Sequence, residues 1–297
     1  MTSKCNLCPR KCGADRTSSV GFCGSGNNLK VARAALHHWE EPCISGTRGS
    51  GTIFFCGCNL KCVYCQNIEI SRGSAGVEIS IERLANIFLR LQREGAHNIN
   101  LVTPTHFVIQ IAEALRLVGD ERTIPIVYNC GGYETKEGLD VIADYADIYL
   151  TDMKYADDEL AKRYSAAPDY YNTASSALKI MIEHTGNPTF DKDGIMQSGV
   201  IVRHLVLPSY RREGAELLKR LKTEFGTDSF VLSLMSQYTP NGRLEDYPEI
   251  NRRITTFEYN YVTQTALELG FKTVYTQERS SAKSEYTPPF DLSGIFE

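Results

Sequence analysis

No stretch of this chain approaches the ~20 unbroken apolar residues that cross a bilayer. Its first residues, MTSKCNLCPRKCG, lack the apolar centre of a secretory signal. Both absences predict a cytoplasmic protein with no membrane partner. Positive charge is not in excess either: 32 Lys and Arg stand against 36 Asp and Glu, a net charge of −4. Such a balance provides no basic field for a phosphate backbone, so nucleic acid is not an expected partner. Internal repeats and low-complexity tracts are absent as well.

What is present is a chain of 297 residues, 42% hydrophobic, long enough for one large domain or two ordinary ones around a substantial core. A core of that size needs no covalent staples, yet there are ten cysteines. In a reducing compartment these are not expected to form a disulfide framework, and deliberate spacing among them points to metal ligation or redox chemistry.

Texture divides the chain at about residue 48. Residues 1–48 are rich in Cys, Gly, Ser and Asn with little periodicity, and read as an irregular, cysteine-rich, metal-binding segment. From 49 to 297 short β-rich runs (52–55, 98–102, 124–128, 147–150, 200–207, 230–234 and 272–275) alternate with helical patterns. In the helix predicted over 81–94, Ile81, Leu84, Ile87, Phe88 and Leu91 share one face, Ser80 is the N-cap and Gly95 the stop. Similar patterns cover 105–117, 136–145, 212–225 and 252–269. Nearly continuous apolar strands separated by helices indicate parallel pairing through βαβ crossovers, hence an α/β fold. Six or seven units fall short of a full (β/α)8 barrel, so a partial (β/α)6 barrel is predicted, with a doubly wound open sheet as the alternative. The polar stretch 191–198 is predicted to be a hairpin or loop before the fifth strand.

Chemistry concentrates in CGCNLKCVYCQN, residues 56–67. Cys58, Cys62 and Cys65 stand at C-x3-C-x2-C directly after the first predicted strand, where barrel active sites lie. Three thiolates suit a [4Fe-4S] cluster with one iron left open to a ligand. Zinc is the competing reading, but it needs a fourth ligand. A second set, Cys5, Cys8, Cys12 and Cys23, at C-x2-C-x3-C-x10-C, suits zinc or a second iron–sulfur cluster, and metal-linked folding would order a segment that lacks a core.

The 56–67 stretch, with aromatic Tyr64 before the last ligand, resembles the signature of the radical S-adenosylmethionine (radical SAM) superfamily. Much of the chain is similar to the branch of pyruvate formate-lyase activating enzyme-like proteins, through CNLCPRKCG, HHWEEPCISGTRGSGTIFF, QNIEIS, NINLVTPTHF, IPIVYNCGGYE, DIYLTDMKY, RHLVLP, LMSQYTP and FEY. The resemblance implies SAM bound at the open iron, its reductive cleavage to a 5′-deoxyadenosyl radical, and hydrogen abstraction from a substrate. It also implies an electron donor such as flavodoxin or ferredoxin as partner, and a glycyl-radical enzyme or a small molecule or peptide as the substrate.

Carried onto this sequence, the resemblance makes Asp152 and Lys154 in DIYLTDMKY holders of SAM, the ammonium pairing with its carboxylate. Tyr64 packs near the adenine or serves only loop packing. Thr103 and Thr105 occupy the place of a Gly-Gly-Glu segment that meets the methionine amino group. Asn129 stands where activating enzymes have an aspartate, so a cation site of the kind that aspartate helps to build is not expected. Cys130 beside it is either a hydrogen donor or a buried small hydrophobe. Arg203 and His204 are successive strand residues, so one of the two is expected to face SAM; Gln237 ends the next strand. The reading from another class is a non-catalytic zinc protein in which both cysteine sets are structural.

Overall fold

The computed structural model describes residues 4–241, 244–277 and 288–297. Residues 4–28 carry no helix or strand, and the chain then builds β1 (Leu29–His37), α1 (Pro42–Ser45), β2 (Ser50–Phe55), α2 (Ile68–Ser71), β3 (Val77–Ile79) and α3 (Ile81–Arg93). Strand and helix then alternate: β4 (Ile99–Val102), α4 (Val108–Val118), β5 (Ile126–Cys130), α5 (Lys136–Ile142) and β6 (Ile148–Asp152). Two successive helices follow, α6 (Asp158–Ser165) and α7 (Tyr170–Thr185), and then β7 (Thr189–Phe190), β8 (Met196–Leu205), α8 (Arg211–Phe225), β9 (Val231–Met235), α9 (Thr256–Leu269) and β10 (Val274–Thr276).

One mostly parallel sheet organises these elements in the order β10-β9-β8-β6-β5-β4-β2-β1-β3. Along this order every neighbouring pair from β10 to β2 is parallel, and β1 adds antiparallel to β2, with β3 antiparallel to β1. The parallel order never reverses, unlike that of a doubly wound sheet, so that alternative does not hold. β7 pairs antiparallel with the start of β8, so the stretch expected as a hairpin or loop over 191–198 lies in a hairpin that begins at Thr189. The segment expected to be irregular to residue 48 instead joins the sheet at Leu29.

Local chemistry sets the helix limits. Ser80 Oγ accepts from Arg83 N at 3.1 Å and starts α3, whose Leu84, Ile87, Phe88 and Leu91 are buried at i, i+3, i+4 and i+7. Each such side chain contributes ~1.5–3 kcal/mol. Thr255 and Glu258 form a reciprocal capping box at α9, which begins at Thr256 rather than at the predicted 252.

Alternation along the strands separates two cores. Ile126, Tyr128, Tyr149, Val200, Val202 and Leu232 point outward into the large cluster shared with the helices. Val127, Ile148, Leu150, Ile201 and Val231 point to the opposite, inner face, where they pack on Cys43 and Ile44 of α1. α1 is therefore a plug seated on the inner face of the sheet. Asn98 Nδ2 fixes it by donating to Ile44 O at 2.8 Å, while Ser50 Oγ donates to Asn98 Oδ1 at 2.6 Å.

A candidate active site at the strand C-termini

A cavity of about 650 Å³ opens above the plug, within the size range of small-molecule sites. Cys58, Cys62 and Cys65 all line it. They sit on the loop that leaves β2, and three backbone contacts hold that loop: Cys58 N donates to Cys23 O at 3.0 Å, Lys61 N to Ser165 O at 3.0 Å, and Val63 N to Tyr164 O at 2.8 Å. Leu60 N donates to Cys58 Sγ at 3.4 Å, and Cys62 Sγ lies 3.0 Å from Ser165 Oγ. Burial pushes the Cys58 thiol up to about 12, with the neighbouring Cys62 adding to the effect, and burial and Cys62 raise Cys65 in the same way. Each of these two thiols is thus a poor place for negative charge until a cation meets it.

Gly57 makes the loop possible. Its φ is +93°, and an added Cβ would stand 2.3 Å from Ser25 Oγ and 2.8 Å from Cys23 O. The fourth cysteine of the stretch, Cys56, is fully buried in a separate small cluster with Ala32, Phe54 and Ile70 and does not line the cavity. Its thiol is a packing group, so the crowding of cysteines reduces to three around the cavity.

From these thiols a row of charges crosses the cavity. Lys154 Nζ lies 2.6 Å from Asp152 Oδ2, Arg203 Nε donates to Asp152 Oδ1 at 3.2 Å, Arg203 Nη2 to Asn129 Oδ1 at 2.6 Å, and Arg203 Nη1 to Glu40 Oε2 at 3.2 Å. Burial opposes the Lys154 charge, but Asp152 together with Cys62 and Tyr170 outweighs it and raises the ammonium well above its usual value; burial likewise opposes the Asp152 charge, and Lys154 and Arg203 lower that carboxyl below its ordinary value. Lys154 N donates to Tyr170 Oη at 3.1 Å, a hydroxyl that lies 2.9 Å from both Gly131 O and Asp152 O. α7, which the sequence reading did not assign, supplies that tyrosine.

The structure brings Tyr64, Thr103, Asn129, Asp152, Lys154, Arg203 and Gln237 to the cavity. Thr103 directly follows β4 at φ +61°, a strained conformation for a β-branched residue of the kind that clusters at functional sites. Tyr64 is buried against Tyr238, its hydroxyl 2.5 Å from Tyr155 Oη. Two expected residues are elsewhere. Thr105 donates to buried Glu134 at 2.7 Å behind the strand ends, and His204 points to the outer face, its Nδ1 2.9 Å from Met153 O. Period-two alternation thus selects Arg203 over His204. Cys130 borders the cavity, but its thiol belongs to the outer core, 3.5 Å from Thr151 Oγ1. That orientation fits a buried hydrophobe.

Glu40 and Glu41, between β1 and the plug, also line the cavity and had drawn no reading from the sequence. Acidic residues before a helix look like an ordinary N-terminal turn, and only the docking of α1 reveals them as part of the wall.

Cys5, Cys8, Cys12 and Cys23 are neighbours in the first segment. Cys12 Sγ and Cys23 Sγ each lie 3.4 Å from the Cβ position of Gly21, Cys5 and Cys12 interact through their thiols, and burial pushes Cys8 up to about 12, with Cys23 and Cys5 adding to the effect. Among the described residues no three Cys, His, Asp or Glu side chains close on a single point as one metal ion demands. One zinc ion draws thiolates to ~2.3 Å. A cube gives each thiolate its own iron and suits three thiols spread round a cavity.

The sequence of residues 52–197 matches the family model described as the radical SAM superfamily. An uncharacterized protein of Methanocaldococcus jannaschii is 30% identical over 280 residues, 91% of this chain and 76% of that one. The chain belongs to the radical SAM superfamily. A pyruvate formate-lyase-activating enzyme of Clostridium pasteurianum is 25% identical over 188 residues, covering 57% of this radical SAM protein and 76% of the relative. Among solved structures, SuiB of Streptococcus suis bound to S-adenosylmethionine is similar at TM-score 0.52 and 13% identity, over 74% of this chain and 48% of SuiB. HydG, a maturase of the [FeFe]-hydrogenase, is similar at TM-score 0.51 and 14% identity, over 74% and 48%. These two likenesses show the fold, an α/β arrangement with a mostly parallel sheet, and this radical SAM chain spans about half the length of each.

Proposed function

We propose that the protein reductively cleaves SAM at a [4Fe-4S] cluster held by Cys58, Cys62 and Cys65 and abstracts hydrogen from a substrate in the cavity. The observation that carries this is the convergence of the three thiols and the Asp152–Lys154–Arg203 row on one cavity at the C-terminal ends of parallel strands. The unbroken parallel order supports a partial (β/α)6-type barrel closing round that cavity, with 1–48 as the cysteine-rich part and 49–297 as the barrel part, β1 being shared between them.

When bound, the cluster and SAM supply one-electron cleavage of the sulfonium bond and the hydrogen-abstracting radical. The chain's own residues do the rest. Lys154 pairs with the SAM carboxylate, Asp152 keeps the ammonium charged, and Arg203 holds Asp152 in place. Thr103, Asn129 and Gln237 offer hydrogen bonds round the ligand, and Tyr64 anchors the cysteine loop beside it. The buried walls shield the site from water.

Cys5, Cys8, Cys12 and Cys23 form a second centre in this proposal, zinc or another iron–sulfur cluster. An electron donor of the flavodoxin or ferredoxin kind supplies the electron, and the ten free thiols are consistent with a reducing cytoplasm. Two targets follow from different observations. The Clostridium pasteurianum relative favours the glycine of a glycyl-radical partner. The cavity of about 650 Å³, lined in part by Glu40 and Glu41, favours a small molecule or a peptide side chain.

Anaerobic reconstitution with iron and sulfide, then reduction with SAM, tests the central claim. We expect an oxygen-sensitive brown protein that forms 5′-deoxyadenosine. A colourless zinc protein with no SAM cleavage would instead establish a binding role. Deuterium carried into 5′-deoxyadenosine from a labelled metabolite selects the small-molecule target, and a glycyl radical on a co-expressed partner selects activation.

A further inference from the structure

One of the three cavity thiols ends a row of buried hydroxyls. Tyr64 Oη lies 2.5 Å from Tyr155 Oη, Tyr155 Oη 2.8 Å from Ser165 Oγ, and Ser165 Oγ 3.0 Å from Cys62 Sγ. Tyr155 and Ser165 are fully buried and neither lines the cavity, so bulk solvent does not reach them. Both are fixed by their surroundings. Ser165 closes α6, whose end takes the cysteine loop: Lys61 N donates to Ser165 O, Val63 N to Tyr164 O, and Arg10 Nη1 to Ala166 O just beyond the helix. Tyr155 follows Lys154 and packs edge-on against Tyr170, their ring centroids 5.5 Å apart. The other two thiols are met differently, Cys58 Sγ by Leu60 N and Cys65 by Asn67 N and Ser71.

The direction of the row follows from the state of its last atom. Phenols and alcohols keep their protons at neutral pH, and each has one to share. Between a free thiol and a hydroxyl either group can donate, but a Cys62 bound to iron has no proton, so Ser165 Oγ must donate to it. Ser165 Oγ then accepts from Tyr155, and Tyr155 from Tyr64. Each hydrogen bond in such a chain polarises the next, and the whole row is aimed at one sulfur. A hydrogen bond to a charged acceptor is worth ~1.5–3 kcal/mol, and it strengthens as the sulfur gains negative charge. We propose that Ser165, backed by Tyr155 and Tyr64, raises the reduction potential of a cluster on Cys58, Cys62 and Cys65 by donating a hydrogen bond to the Cys62 thiolate. The proposal rests on the reading of those thiols as the cluster site and deepens it. Ser165 acts through Cys62 and is a positioning residue. No bond is made or broken: one electron enters from the flavodoxin- or ferredoxin-type donor, the cluster gains one negative charge, and every proton stays on its oxygen.

The test needs neither SAM nor turnover. The anaerobically reconstituted full chain is titrated with dithionite in the presence of mediator dyes, and the reduced cluster is followed by electron paramagnetic resonance. The signal that belongs to this set is the one missing from Cys62→Ala. We expect Ser165→Ala to keep that signal and to lower its midpoint potential by about threefold to tenfold in the reduction equilibrium, ~30–60 mV for one electron. Tyr155→Phe should lower it by less, because Ser165 still donates but is no longer polarised. Ser165→Thr, which keeps the hydroxyl, should stay close to the unmodified protein. A merely structural role predicts a lower melting temperature with an unmoved potential, and a gap that admits water predicts a rise, since water also stabilises the added negative charge. Either result overturns the proposal. If Ser165→Ala lacks the signal, Tyr155→Phe decides alone, and an unchanged potential or a missing signal there overturns the proposal too. An unmodified protein with no signal that depends on Cys62 ends the cluster reading itself, so the two failures are told apart.

Discussion

Replacing Arg203 by methionine keeps its length and apolar stem while removing its charge. Three buried acceptors then lose their donor together: Asp152 Oδ1, Asn129 Oδ1 and Glu40 Oε2. Asp152 retains Lys154, but Glu40 retains no cation among the described residues, and Glu41 also loses the attraction that offsets its burial. Breaking one buried ion pair by removing a partner costs ~3–5 kcal/mol. Against the ~5–15 kcal/mol that holds a typical domain folded, that is a large share. Urea unfolding of the metal-free reduced protein at pH 7.5 measures it. With a slope of ~3 kcal/mol per molar, the midpoint should fall by about 1 M or more. The deficit should shrink as pH drops toward 5. Burial holds the Glu40 and Glu41 pKa values above the unfolded ones, and loss of Arg203 raises them further, so the variant forfeits stability as pH rises and recovers it as these carboxyls take up protons. A companion Glu40→Gln in the Arg203→Met background should restore part of the loss, because the orphaned charge is then gone. A midpoint shift below ~0.3 M at pH 7.5, or a deficit that grows in acid, would refute the view that this arginine balances the buried acids.

Three further outcomes are expected. Alanine at Cys58, Cys62 or Cys65 should remove the iron held by that set and abolish 5′-deoxyadenosine formation, whereas Cys56→Ala should cost ~1–3 kcal/mol of stability and keep the iron content of the unmodified protein, as elemental analysis will show. Gly57→Ala combines a positive φ with a Cβ driven into Ser25 and Cys23, so it should lower the melting temperature by several degrees and reduce iron content through the displaced loop. Glu134 is raised from 4.5 to about 8 by burial, so between those pH values the folded state holds a proton that the unfolded state releases, and stability falls as pH rises. At ~1.4 kcal/mol per pH unit this is at most ~5 kcal/mol, and Glu134→Gln should flatten that part of the stability–pH curve.

Much of the outer framework was legible. The β-rich runs mark the parallel strands because strands buried on both faces read as continuous apolar stretches, and the cysteine spacing marks the loop after β2. β1 was not legible: LKVARAALH mixes alanine and charge in a pattern that suits a strand only once β2 and β3 lie on either side of it. The same tertiary dependence hides α7, whose Asp169 N-cap sits in a left-handed conformation without a side-chain cap bond. Arg203 and His204 were inseparable by residue type, and strand register decided between them. Thr105 was carried to the cavity with Thr103, but a 3-10 turn over Thr105–Phe107 rotates it behind the strand ends. Glu40 and Glu41 carry no local signal at all, because their meaning comes from partners on β8 and β9.

The seating of α1 has a consequence for biosynthesis. Glu40 meets Arg203 across 163 positions of chain, so a piece that leaves the ribosome well before β8 has no berth until β8 is made. Nascent protein therefore carries its exposed thiols beside an unfinished chamber over that interval, and metal insertion is best timed to the moment the last parallel strands arrive.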